Sequence, residues 1–123
     1  MATKQEVEIF LNQLKEKIKI FDVAFRSRDK NLDDLAELDI TPIKRLEYLM
    51  SLKIEDYYSG PKNDTYDPMK PDYYEFGIHI KGKEVYIKIS PGLSNKKVDC
   101  MSFHLAQFPM NYPLKMNENE TEN

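Results

Sequence analysis

A single cysteine, Cys100, leaves no partner for an internal disulfide and excludes a zinc site that needs two thiolates. Two histidines, His79 and His104, are too few to anchor a metal centre, so neither a metal nor a cofactor is expected. No apolar run approaches the ~18 residues of a membrane span. The opening MATKQEVEIF lacks the apolar stretch of a signal peptide, which predicts a cytoplasmic protein. Net charge is scarce as well. Glu118, Glu120 and Glu122 fall in the last eight positions, which hold no base, so the formal charge of -3 resides in the tail and residues 1–115 balance at 18 against 18. A neutral body argues against binding nucleic acid through bulk charge. No internal repeat is visible.

What is present suits one folded domain. The 123 residues are 41% apolar, enough for one core. The expected organisation is a single domain over residues 1–115 and a disordered acidic tail over 116–123.

The chain opens with helical signals. Thr3 and Glu6 fit a capping box, in which hydroxyl and carboxylate each satisfy an orphan backbone donor. Val7, Phe10, Leu11, Leu14 and Ile18 follow at helical spacing, and Lys15, Lys17 and Lys19 crowd the end, where cations suit the helix dipole. Phe21, Val23 and Phe25 alternate with Asp22 and Ala24, as in a short strand. Two short helices are predicted next. Asn31 caps the first, with Leu32, Leu35, Ala36 and Leu38 on one side; Thr41-Pro42 opens the second, with Ile43, Leu46, Leu49, Met50 and Leu52 as its buried stripe. Residues 59–72, with three prolines and one glycine, read as a long polar loop.

The second half reads as sheet. Tyr74, Phe76, Ile78 and Ile80 alternate with Glu75, Gly77, His79 and Lys81, and Val85, Ile87 and Ile89 alternate with Glu84, Tyr86, Lys88 and Ser90. A two-residue turn at Gly82-Lys83, of type II′, sets Ile80 against Val85, Ile78 against Ile87 and Phe76 against Ile89. On the other face it sets His79 against Tyr86. A third strand is expected from Val98 to His104, with Met101 and Phe103 inward and Ser102 and His104 outward. The fold class is therefore α+β, with N-terminal helices packed on a twisted antiparallel sheet.

The outward face collects Glu75, His79, Tyr86, Lys88 and His104. An alternating polar face is the ordinary solvent side of an antiparallel sheet. This set, however, contains what metal-independent RNA cleavage requires: a base for the 2′-hydroxyl, a cation for the phosphate and an acid for the departing 5′-oxygen. Histidine is suited to either proton-transfer role, and tyrosine can donate to a phosphate oxygen or stack on a base.

Three stretches, Leu52–Ser59, Gly82–Ser90 and Met101–His104, follow one another in an order that resembles the MqsR-type (motility quorum-sensing regulator) toxins of bacterial type II toxin–antitoxin systems. That family carries an "L…DFY" segment, then "G-x-VYLKI", then "SF" followed by a basic residue. The resemblance covers roughly residues 40–104, and the N-terminal helix fits it loosely. It implies a RelE-like fold and a ribosome-independent mRNA endoribonuclease neutralised by a cognate antitoxin. By position, Tyr86 takes the place of the functional tyrosine and His104 that of the basic residue after "SF". The expected catalytic set is Tyr86, Lys88 and His104, and the expected RNA-binding set is Glu75, His79, Lys62 and Tyr58. The family lysine after "DFY" falls at Ser59, with Lys62 the nearest replacement, and a family glutamine before the hairpin has no counterpart between Tyr73 and Glu75.

The alternative is a non-catalytic protein- or peptide-binding domain on the same scaffold. It would use an aromatic rim of Tyr57, Tyr58, Tyr66, Tyr73 and Tyr74. Residues 74–104 carry five lysines against Glu75, Glu84 and Asp99, a local balance of +2 that favours the RNA reading.

Overall fold

The computed structural model describes residues 1–26 and 29–115, with the backbone alone for 29–31. The expected tail over 116–123 lies outside the described residues. The chain forms helix α1 (Lys4–Phe21), strand β1 (Val23–Phe25), helices α2 (Asp29–Glu37) and α3 (Pro42–Met50), and a 3-10 turn (Ile54–Asp56). Strands β2 (Tyr57–Lys62), β3 (Tyr73–Ile80), β4 (Lys83–Ser90) and β5 (Val98–Leu105) follow. The five strands lie in the order β1-β5-β4-β3-β2. Neighbours are antiparallel except β1, which runs parallel to β5, so the expected antiparallel sheet is a mixed one.

Helix α1 begins as its sequence dictates. The Thr3 hydroxyl accepts from the Glu6 amide and the Glu6 carboxylate accepts from the Thr3 amide, both at 3.1 Å. Val7, Phe10, Leu11, Leu14 and Ile18 are all buried. Phe10 stacks on Tyr74 with ring centroids 3.9 Å apart and lies 6.1 Å from Phe76, which fixes the helix on the sheet. Lys19 stands in the last turn as expected, 3.0 Å from Glu16, whereas Lys15 and Lys17 clamp loops. Lys15 donates to the Leu52 carbonyl at 2.7 Å, and Lys17 to the Leu93 carbonyl at 2.8 Å. Phe21 belongs to α1, so β1 is shorter than its alternation suggests.

Helix α2 starts two residues before Asn31, which is therefore not its cap. It buries Leu35, and the turn after it buries Leu38, while Leu32 and Ala36 are exposed. In α3, Thr41 caps and Pro42 takes the first helical position as expected. Ile43, however, is 72% exposed. At 3.6 residues per turn it stands about 120° around the helix from the buried Leu49, outside the stripe.

The predicted loop over 59–72 is partly strand. Tyr57–Lys62 pairs with β3 as an edge strand, with register breaks on either side of Ser59. Pro61 is tolerated because an edge strand has one side with no ladder to complete. The Tyr57 hydroxyl donates to the Gly60 carbonyl at 2.5 Å and accepts from the Ala2 amide at 3.1 Å. Tyr57 (0% exposed) and Tyr74 are thus core residues, and the proposed aromatic rim loses both.

The β3–β4 hairpin turns at Lys81-Gly82, one residue earlier than predicted. Both have positive φ, 52° and 78°, the backbone of a type I′ turn. Ile78 therefore faces Val85, Phe76 faces Ile87 and Tyr74 faces Ile89. His79 faces Glu84, not Tyr86. The slip is two residues, so every side chain keeps its expected face.

On β5 a bulge sets Lys88 opposite Ser102 but Ile89 opposite Cys100, leaving Met101 as the extra residue. Phe103 and Cys100 both enter the main core. Met101 is buried on the opposite face, beside Lys88 and Arg26, not inward as predicted. Burial pushes the Cys100 thiol up to about 12, which makes it an inert core residue. Among the described residues no helix is long and apolar enough to cross a membrane.

Candidate active site

The face of the sheet turned away from α1 carries the polar residues of β3, β4 and β5 in rows. Gly77, Tyr86 and His104 form one row of cross-strand partners; Glu75, Lys88 and Ser102 form the next. Alternation puts Tyr86 and Lys88 about 7 Å apart along their strand.

Glu75 is the buried charged residue of these rows, at 7% exposure. Its Oε2 accepts from the Tyr86 hydroxyl at 2.5 Å, and its Oε1 lies 2.6 Å from Lys62 Nζ. Lys62 is the charge partner of Oε1. Contact with the carboxylate holds the Lys62 ammonium above its ordinary pKa. Burial, and then the bond to Glu75, push the Tyr86 phenol far above its usual range. Tyr86 therefore stays protonated and cannot act as a base.

His104 sits beside Tyr86, with ring centroids 5.2 Å apart. Its Nδ1 lies 2.8 Å from the Leu105 carbonyl. A carbonyl only accepts, so Nδ1 carries the hydrogen and Nε2 is the nitrogen left for a substrate. Glu75, Tyr86 and His104 line a hollow of about 220 Å3, completed by Gln107, Phe108 and Met110.

Lys88 shares the face but its head group leans away from this hollow. Its Nζ lies 4.2 Å from the Tyr73 ring centroid, in a neighbouring hollow of about 260 Å3 that Arg26, Asp64, Lys70 and Met101 also line. Tyr58 meets the first hollow at its rim, with its ring 6.3 Å from that of Phe108. His79 stands apart. It is largely exposed, 3.8 Å from Glu84 and beside Tyr112, about 13 Å along β3 from Glu75. Five of the seven predicted site residues (Glu75, Tyr86, His104, Lys62 and Tyr58) thus gather at or beside one hollow, while the Lys88 head group lies in the neighbouring one and His79 lies elsewhere. Among the described residues no three metal-ligating side chains come together.

Sequence reasoning missed the contribution of residues 106–115. These fold back over the sheet, burying Met110 and Leu114. Gly77 was the available signal, because a glycine inside a strand pattern marks a close approach. A Cβ there would lie 2.5 Å from the Tyr112 hydroxyl oxygen.

Compared with family models, with curated proteins and with solved structures, the chain matches none.

Proposed function

We propose that this protein is an endoribonuclease of toxin type, cutting single-stranded mRNA without a metal and held in check by a cognate antitoxin. The observation that carries this reading is His104: one ring nitrogen is anchored to a backbone carbonyl and the other is left for chemistry, at a hollow walled by a tyrosine and a buried carboxylate. The order of the Leu52–Ser59, Gly82–Ser90 and Met101–His104 stretches supports it further, and with it a RelE-like assignment of the α+β fold.

In the proposed reaction the 2′-oxygen attacks the phosphorus and its proton passes to water. The P–O5′ bond breaks, and the departing oxygen takes a proton from Nε2 of His104 in its imidazolium form, which carries a hydrogen on each ring nitrogen and returns to the neutral Nδ1–H form. The products are a 2′,3′-cyclic phosphate and a 5′-hydroxyl. Lys88 is on the same strand face with its ammonium over Tyr73, and in this reaction it turns from that ring to supply positive charge to the phosphate. Tyr86 holds Glu75 and packs beside the imidazole, which keeps the ring in place.

Tyr86→Phe tests that last role. It leaves Glu75 Oε2 without its donor, a loss of about 1–3 kcal/mol. Thermal unfolding is expected to drop accordingly, with cleavage weakened but not abolished.

A second reading, a protein- or peptide-binding domain, draws on Phe108, which is 53% exposed beside Tyr58. A small adjacent reading frame encoding an antitoxin-like helix-turn-helix protein, whose co-expression relieves growth arrest, favours the toxin reading. Growth unaffected by expression of this chain alone favours the second.

A further inference from the structure

The segment 106–115 buries Met110 and Leu114, and one side chain of the sheet hydrogen-bonds it at two points. Glu84 Oε1 accepts from the Met110 amide at 2.9 Å, and its Oε2 accepts from the Tyr112 hydroxyl at 2.7 Å. The Glu84 carbonyl also accepts from the Ala106 amide, at 2.9 Å. Gly77 leaves the space into which Tyr112 and Met110 settle, since an added Cβ would lie 2.9 Å from the Tyr112 ring and 3.0 Å from Met110 Cε. The segment so fixed supplies Gln107, Phe108 and Met110 to the His104 hollow, about half of its wall.

We infer that Glu84 is a positioning residue that latches residues 106–115 onto the sheet, so that Phe108 forms the platform on which an unpaired nucleobase of the RNA stacks beside His104. This rests on the endoribonuclease reading and adds to it where the substrate is held. Phe108 suits the role because its ring is 53% exposed, tilted toward Tyr58 at 6.3 Å, and borders the hollow that holds the imidazole. A stacking platform tolerates any base, because every base has a π-face. Glu84 and Tyr112 touch no substrate in this arrangement. Their loss should therefore raise KM while leaving kcat nearly unchanged, because His104 is carried by β5.

The test uses the full chain and a single-stranded 2′-O-methyl RNA oligonucleotide, which lacks the attacking hydroxyl and so reports binding alone. Amide hydrogen exchange at Met110 is followed in the same samples. Phe108→Ala is expected to weaken binding by about 5- to 150-fold with Met110 exchange unchanged, and Phe108→Tyr to restore it. Glu84→Ala is expected to speed exchange at Met110 and to weaken binding together. Tyr112→Phe, which keeps the ring, should do both to a smaller degree, and so serves if Glu84→Ala fails to fold. Wild-type affinity in a latch variant whose Met110 amide has been released would overturn the inference and leave the endoribonuclease reading standing. So would wild-type affinity in Phe108→Ala. A wild-type chain that binds no oligonucleotide would overturn both.

Discussion

Replacing His104 by alanine is expected to lower RNA cleavage by about 10²–10⁴-fold and to abolish growth arrest on expression, while the fold stays intact. The size follows from the role: Nε2 is the proton donor to the departing oxygen, and water is a poorly placed substitute. Retention of the fold follows from the surroundings. His104 is half-buried at the end of β5, its Nδ1 bonds the carbonyl of the next residue, and its ring lies beside Tyr86 without entering the core. Cleavage rate and circular dichroism on the same preparation separate the two effects. Wild-type cleavage by His104→Ala would remove the catalytic assignment.

Ile87→Ala is expected to cost about 2–5 kcal/mol in chemical denaturation. Ile87 is fully buried at the centre of the sheet, with Phe76 opposite it on β3 and Phe103 opposite it on β5. The aromatic neighbours are stiff, and Phe76 is packed against α1 through Phe10, so they cannot close the cavity fully. A loss below about 1 kcal/mol would mean that the site collapses freely, contrary to this packing.

The hairpin explains why so much of the face was legible. Side-chain direction in a strand has a period of two, so a misplaced turn that slips the register by two residues changes every partner and no face. Tyr86, Lys88 and His104 share one face for that reason, although the turn is of type I′ at Lys81-Gly82 and the Lys88 head group lies in the neighbouring hollow. Parity fails where a residue is inserted, and the bulge at Met101 reversed that residue alone. The strand over Tyr57–Lys62 was hidden by Gly60 and Pro61, which read as loop although an edge accepts both. The site's second wall was illegible for another reason. Residues 106–115 have no periodicity, and their position depends on long-range bonds from Glu84 and the space at Gly77.

The most direct test of the account is to incubate the purified protein with single-stranded RNA in EDTA and to identify the ends of any products. The account predicts cuts that leave a 2′,3′-cyclic phosphate and a 5′-hydroxyl, and that disappear with His104→Ala. RNA that stays intact at every protein concentration, or products that carry a 5′-phosphate, would contradict it.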